Sequence, residues 1–491
     1  MSLSIYAAEQ IKSWDEYTIK NEPVSSIDLM ERAALECTRY LIANYEFKSC
    51  KIYCGTGNNG GDGLAIARQL RDRGKAVKVC ILKVSTDYTI DYSANLDRLP
   101  KDIGLTEIWS GTDKDVTNED IVLDAIFGSG LNRPIESGWL GDIVEQINQL
   151  KQPVIAIDLP SGLFCDDNSV NALNYVVKAD ETLTFQIPKR VFFFSKYRSF
   201  IGKFSVLDIE LKSDFYAANN FYLLNLEEVS LKARDQFSHK GKNGHLMVIG
   251  GMDQMYGAAI LSAKAAYRTG CGYLFVMMSS EAIFNSIKEL NEAIYINDSD
   301  LIIPEKTEAI AIGPGLGKSD KAEALLDMAL NAGLPLVLDA DALNIIADND
   351  WLERIPADSI LTPHTKELER LIGPVDTEES FLNRQLGVSI EQEVFIIQKG
   401  AYSKLTTPYG YVYINSTGNE GMAVAGTGDV LTGIIGALLA QGYEPKLAAQ
   451  YGMLIHGHAG DLVRDDNDGP LGMIASDLIG KLPRISNRLS D

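Results

Sequence analysis

The sequence predicts an α/β protein of two consecutive domains, the first built on a doubly wound sheet. Three observations predict it. The chain has 491 residues, more than one hydrophobic core usually serves. Short apolar strands alternate with helix-period segments, fade over 211–234, and restart at His245. Each half carries a loop of glycines and an aspartate between a strand and a helix.

The first two helices fall within 7–43. Ser26 is placed to cap the second, ahead of the apolar-periodic Leu29, Met30, Ala33 and Ala34. A strand at 51–54 runs into a Gly-rich loop, a helix follows at 64–73, and the next strand is 76–82. Strands at 121–125 and 154–157 carry Asp124 and Asp158 to strand ends, where open parallel sheets hold ligands. The mixed stretch 213–234 reads as a connection between a first domain at 1–212 and a second at 235–491. The second opens with a strand at 245–249, a Gly-Gly turn, a helix at 258–269 and a strand at 273–277. Later strands end at Gly313, Asp339 and Thr362, another lies at 393–398, and a Gly- and Ala-rich helical region starts near Gly428.

Charge and cysteines narrow the function. Lys plus Arg is 45 against 67 Asp plus Glu, a net charge of -22. Such a surface repels a nucleic-acid backbone, yet backbone amides can still hold a phosphorylated metabolite. None of the six cysteines forms a CxxC pair, so neither a zinc site nor a disulfide framework is expected. No apolar run approaches the ~18 residues of a spanning helix, and the first residues lack a signal-peptide core, so no membrane partner is expected. The cytoplasm is the expected compartment.

Cys54 is followed by Gly55-Thr56-Gly57-Asn58-Asn59-Gly60-Gly61-Asp62-Gly63. Glycines let a backbone approach a ligand, the following helix offers free N–H groups, and the asparagines and aspartate supply oxygen ligands. Four more strings accompany it. They are Leu29-Met30-Glu31-Arg32-Ala33, Leu123-Asp124-Ala125-Ile126-Phe127-Gly128-Ser129-Gly130, Asp158-Leu159-Pro160-Ser161-Gly162 and Phe185-Gln186-Ile187-Pro188-Lys189. Together they resemble the NAD(P)H-hydrate epimerase domain over about 7–209. The resemblance implies a Rossmann-like fold and a potassium ion held by Asn59, Asp124 and Ser161. It also implies that Asn58, Asn59, Gly60, Gly61 and Asp62 contact a hydrated nicotinamide cofactor, with Gly128, Ser129, Gly130, Leu131, Asn132, Arg133, Pro134 and Asp158. Asp158 and Lys189 are the expected proton-handling pair; a strand-end cap and a solvated lysine are the plainer readings. The chain departs from the family at Phe192, Phe193 and Phe194, which fit a buried edge or an oligomer contact.

The second loop is Ala425-Gly426-Thr427-Gly428-Asp429, leading into a helix. Amides at such a helix start can surround a developing phosphate charge, and an Asp there can take a proton from a hydroxyl. Its companions are His239-Lys240-Gly241-Lys242-Asn243-Gly244, Ile312-Gly313-Pro314-Gly315-Leu316-Gly317, Asp339-Ala340-Asp341-Ala342-Leu343, the 361–368 string and Gln398-Lys399-Gly400-Ala401. Their order resembles the ADP- or ATP-dependent NAD(P)H-hydrate dehydratase, a ribokinase-like fold, over about 235–482. The resemblance implies that Lys399, Gly400, Ala401, Tyr402 and Ser403, with Asn419, Gly426, Thr427 and Gly428, bind ADP. Ala259, Gly315 or Gly317, and His364, Thr365, Lys366, Glu367, Leu368, Glu369 and Arg370 would face the hydrated cofactor, with Asp429 as base. His364 also reads as a helix cap, and His456 and His458 as packing residues.

Taken together, the chain resembles the bifunctional NAD(P)H-hydrate repair enzymes of prokaryotes. The resemblance implies hydrated NADH and NADPH as substrates, potassium in the first domain, and magnesium with ADP or ATP in the second. Hydroxide leaves poorly from a reduced nicotinamide ring; phosphate leaves well, so a kinase-like site suits dehydration. A homo-oligomer is expected from the acidic charge and the three phenylalanines. The competing reading is a small-molecule kinase of the same fold carrying a non-catalytic N-terminal module.

Overall fold

The structure is a computed structural model that describes residues 2–109, 118–252 and 254–490. The chain divides into two compact units, Ile5–Asn219, and Asn220–Asp491 together with Met1–Ser4. In chain order, β1 (Leu3–Ser4) precedes α1 (Ala8–Asn21), α2 (Ser26–Asn44), β2 (Ser49–Cys54), α3 (Asn58–Asp72), β3 (Ala76–Leu82), α4 (Ile90–Asp97) and β4 (Gly104–Ile108). There follow β5 (Ile121–Ala125), α5 (Trp139–Asn148), β6 (Val154–Ile157), β7 (Glu181–Phe185), α6 (Arg198–Ile201) and β8 (Lys203–Leu207).

Among the described residues the first unit has one seven-stranded parallel sheet, ordered β4-β3-β2-β5-β6-β7-β8. The chain steps outward from β2 to β4, then returns to β5 and steps the other way. That reversal opens a crevice beyond the C-terminal ends of β2 and β5, where doubly wound sheets bind ligands. Both faces are covered. Ile52, Leu123 and Ile155 pack on one side with Leu41, Leu64 and Leu70; Tyr53, Val122 and Val154 pack on the other with Ile143 and Ile147. Burial on both faces is why these strands read as continuous apolar runs.

The second unit continues with β9 (Phe221–Leu223), β10 (His245–Ile249), α7 (Tyr256–Arg268), β11 (Tyr273–Met278), α8 (Ser280–Ser286), β12 (Ile294–Asn297), β13 (Ala309–Ile312), α9 (Asp320–Leu330) and β14 (Leu336–Leu338). Then come α10 (Asp341–Asp348), β15 (Ile360–Leu361), α11 (Thr365–Ile372), α12 (Glu378–Glu391), β16 (Phe395–Gln398), β17 (Lys404–Thr406), β18 (Val412–Ile414), α13 (Thr427–Ala440), α14 (Pro445–Asp466) and α15 (Ala475–Arg488). Its sheet order is β1-β9-β18-β17-β16-β15-β14-β13-β10-β11-β12 among the described residues. The strands from β12 to β16 are parallel, and the strand order again reverses between β10 and β13.

Four expectations change here. The α2 cap is Ser25, whose hydroxyl accepts from Asp28 N at 3.2 Å, so the helix begins one residue earlier than Ser26 predicts. Helix α3 starts at Asn58, inside the string expected to be a loop. The stretch read as a connection contains β9, a strand too short for its period to show in sequence. Phe192, Phe193 and Phe194 are buried, with Phe192 and Phe193 packed against Phe204, so they offer no oligomer surface. No described helix is long and apolar enough to cross a membrane.

Candidate functional site

In the first unit the glycines of the β2–α3 string are contact residues. A Cβ on Gly55 would fall 2.1 Å from Ile126 O, and one on Gly60 2.0 Å from Gly55 O. These close approaches hold the start of α3 against the backbone leaving β5. Asn59 then lies against Gly128, where an added Cβ would meet Asn59 Cγ at 3.3 Å and Asp158 Oδ2 at 2.9 Å. The Asn59 carboxamide is buried, and neither its oxygen nor its nitrogen has a hydrogen-bond partner.

Asp124 is fully buried on β5. It accepts from Ser161 Oγ at 2.6 Å, Ser161 N at 2.8 Å and Ile126 N at 3.2 Å. Burial pushes its carboxyl up to about 6, against the pull of those hydrogen bonds. Ser161 Oγ in turn accepts from Phe127 N at 2.9 Å.

Asp158 follows β6 with φ +65, a left-handed conformation uncommon for a side-chain-bearing residue. Its Oδ2 accepts from Ser129 N at 2.8 Å, and Lys189 Nζ stands 3.2 Å from its Oδ1. Burial alone would raise the Asp158 carboxyl; the Lys189 ammonium and the Ser129 amide overcome that and hold it below the usual range. Lys189 is therefore an internal cation and not a solvated one. Two more carboxyls share its field. Burial pushes Asp15 of α1 up to about 7, with Lys189 opposing and Asp158 adding. Burial, then repulsion from Asp158 and Asp15, drives Asp62 well above the carboxylate range. The site thus sets a carboxyl of lowered proton affinity beside two of raised affinity, the separation that acid–base chemistry needs. The rest of the 128–134 loop, Gly130, Leu131, Asn132, Arg133 and Pro134, is exposed or half-buried.

In the second unit the chemistry gathers at the start of α13. Gly426 turns into the helix at φ +92. His456 Nε2 donates to Thr427 O at 2.8 Å, so this histidine holds the first turn instead of only filling space. Burial lowers its imidazole to about 4, which keeps it a neutral donor. Asp429 is the third residue of α13; burial, then the charge of Asp339, pushes its carboxyl up to about 7 against the pull of Lys399. Lys399 Nζ lies 2.6 Å from Asp339 Oδ1, and Thr432 Oγ1 donates to Asp339 Oδ2 at 2.7 Å. A Cβ on Gly428 would fall 3.2 Å from Lys399 Nζ, so the ammonium rests over the first turn of α13.

Other residues expected at this site spread more widely. Ala259 is buried on α7 against Gly251, and Gly317 N donates to Asp341 Oδ2 at 2.9 Å. Gly315 donates nothing to that pair but accepts from Met252 N at 2.7 Å. His364 caps α11, its Nδ1 accepting from Lys366 N at 3.1 Å and Glu367 N at 3.2 Å. Leu368 is fully buried in the core, so its side chain is withdrawn from any ligand; Thr365 and Glu369 are exposed, and Arg370 reaches Asn344. Gly400 and Ala401 are exposed, and Ser403 Oγ donates to Gly400 O at 3.0 Å beside Tyr402. Asn419 caps a short helical turn and reaches Asp461 at 3.2 Å. Sequence reasoning missed Asp339 and Thr432 as site residues, although Asp339 stands at a strand end and Thr432 three residues after Asp429. It also missed Asp15, for which the sequence carries no signal.

Comparison with known proteins agrees with this division. A family described as NAD(P)H-hydrate dehydratase matches residues 246–484, and one described as YjeF-related protein N-terminus matches 26–191. A ribokinase-like superfamily protein from Enterococcus faecalis V583 superposes with a TM-score of 0.51 at 25% identity, covering 57% of this chain and 99% of that one. The bifunctional NAD(P)H-hydrate repair enzyme of Moorella thermoacetica is 32% identical across 99% of this chain and 97% of its own length. That of Coxiella burnetii is 33% identical across 98% and 99%. With both halves matched at full length, the chain belongs to the family of bifunctional NAD(P)H-hydrate repair enzymes.

Proposed function

We propose that the first unit interconverts the R and S hydrates of NADH and NADPH, and that the second dehydrates the S hydrate at the expense of ADP, releasing AMP and phosphate. The observation that carries this reading is the Asp429 carboxyl at the start of α13, pushed up to about 7 beside the Lys399–Asp339 pair. A base of that affinity suits removal of a hydroxyl proton near neutral pH. The α13 amides and the Lys399 ammonium suit the charge of a phosphoryl group in transfer. Transfer to the ring hydroxyl leaves AMP; expulsion by the ring nitrogen lone pair then frees phosphate, and the iminium so formed loses a proton from the adjacent ring carbon to solvent, restoring the dihydronicotinamide. Residues 399–403 and 419–428 are the proposed nucleotide contacts, with ATP as the alternative donor. The proposed cofactor contacts are Ala259, Gly315, Gly317 and the exposed face of 364–370.

In the first unit, Asp158 is the proposed base, held ionised by Lys189 at its Oδ1 and by the Ser129 amide at its Oδ2. The 58–62 and 128–134 segments are the proposed cofactor contacts. Potassium fits the residues present: the Asn59 carboxamide oxygen is buried and unused, and the Asp124 carboxylate and Ser161 hydroxyl complete an oxygen-only donor set. When bound, the ion would neutralise Asp124 and draw anionic cofactor groups toward the crevice. Among the described residues no cluster of three His, Cys, Asp or Glu could hold a metal. Magnesium accordingly belongs with the nucleotide phosphates, which supply most of its ligands in such sites. The proposed setting is the cytoplasm, and all six cysteines are buried.

The test is to give the full chain an epimeric mixture of hydrated NADH with ADP, magnesium and potassium. Complete return of the reduced-nicotinamide absorbance, with free phosphate and AMP, is expected. Accumulation of a phosphorylated product would favour a kinase, and recovery of one epimer alone would remove the epimerase assignment.

A further inference from the structure

Lys399 occupies an electrostatically adverse place. The start of a helix carries partial positive charge and repels a cation. Yet the Lys399 ammonium lies over the first turn of α13, with its side chain 21% exposed. Asp339 accounts for this. It leaves β14 1% exposed, and its two oxygens are divided between Lys399 Nζ at 2.6 Å and Thr432 Oγ1 at 2.7 Å. Thr432 belongs to the same helix, so the carboxylate ties the ammonium to α13 against the repulsion. The next residue, Ala340, has φ +50, which turns the chain sharply and sends the neighbouring Asp341 to a different task, accepting from Gly317 N.

We propose that Asp339 is the positioning residue of the second site, anchoring the Lys399 ammonium over the anion-binding start of α13. This rests on the reading of that site as ADP-dependent. Asp339 need not touch the nucleotide; it acts through Lys399 and Asp429.

The groups facing Asp429 are few. Asp339 and Asp341 raise its proton affinity, and Lys399 lowers it. Glu367 faces Lys399. From α14 comes the neutral His456 at Thr427 O, and from α7 the Ser262 hydroxyl, which donates to Asp429 O at 2.7 Å. Asp339→Asn removes the repelling charge and leaves Lys399 attracting, so the Asp429 carboxyl should ionise at lower pH.

The experiment compares wild type, Asp339→Asn, Lys399→Met, the double variant and Thr432→Val. ADP binding is read by calorimetry, and kcat/KM for hydrated NADH is read against pH. Asp339→Asn should weaken ADP binding by about ten- to a hundredfold, the scale of a lost charge-assisted bond. Its acid limb in kcat/KM should move to lower pH, which a merely structural defect would not produce. The double variant should be no weaker than Lys399→Met alone, because Asp339 acts through that side chain. Thr432→Val should weaken ADP binding by less and should not move the acid limb to lower pH, because the Asp339 charge remains. Urea unfolding of the second unit, followed by circular dichroism, reports that each variant is folded. If wild type fails to dehydrate hydrated NADH while Asp339→Asn still weakens ADP binding, the functional reading fails and the positioning role stands. Unchanged ADP affinity in Asp339→Asn, losses that multiply in the double variant, or a wild type that binds no ADP would overturn the positioning role.

Discussion

Lys189 places its ammonium 3.2 Å from Asp158 Oδ1 while only 1% of its side chain is exposed. The pair is buried, and breaking it from one side differs from removing it whole. Lys189→Met strands a carboxylate and should destabilise the first unit by about 3–5 kcal/mol. Asp158→Asn combined with Lys189→Met should recover most of that in urea unfolding. Neither variant should interconvert the hydrate epimers.

The orphaned Asn59 amide gives a second expectation. Replacing a buried polar group that has no partner costs little, so Asn59→Leu should unfold within about 1 kcal/mol of wild type in tetramethylammonium chloride. In potassium chloride the wild type should melt at higher temperature, and Asn59→Leu should not. An equal response of both proteins to potassium would remove Asn59 from the ion's ligands.

His456 links stability to acid. Its imidazole is lowered from 6.5 to about 4 by burial, so the folded state resists a proton that the unfolded state accepts. A depressed histidine contributes its full stability above 6.5 and loses it as pH falls toward 4. The loss should be about 2–3 kcal/mol, allowing for partial exposure. His456→Gln, which keeps a donor for Thr427 O, should flatten the urea-unfolding midpoint between those pH values.

The aromatic run at 192–194 behaves as core. Phe193→Ala should cost about 3–5 kcal/mol through the cavity it leaves. The elution volume of the folded protein in size-exclusion chromatography should stay the same, since Phe193 is 1% exposed and contributes no surface.

Much of the sheet could be read directly. Strands 76–82, 121–125, 154–157 and 245–249 have the bounds that their apolar runs predict, because burial leaves few polar residues, such as Lys78 and Asp124, within them. The start of α3 could not be read this way. Asn58-Asn59-Gly60-Gly61 is poor helix sequence, and close contact with the backbone after β5 overrides its propensity. Asp158 was visible at its strand end, but Asp15 was not, since nothing local marks which polar residue of an amphipathic helix points inward. The Lys399–Asp339 pair spans 60 positions of sequence, a distance that only the sheet order closes.

The helix that carries Asp429 is locked to its neighbour at backbone distance. A Cβ on Gly433 would fall 2.0 Å from Ser262 O, and Ser262 Oγ is bound to Asp429 O. Two helices in such contact cannot slide past one another without opening a void. Asp429 is therefore a fixed landmark, and whatever travel ligand binding demands falls to the loop residues 415–426 and to the bound molecules. Selection for a new phosphoryl donor would accordingly act on that loop and leave the Gly433–Ser262 seam untouched.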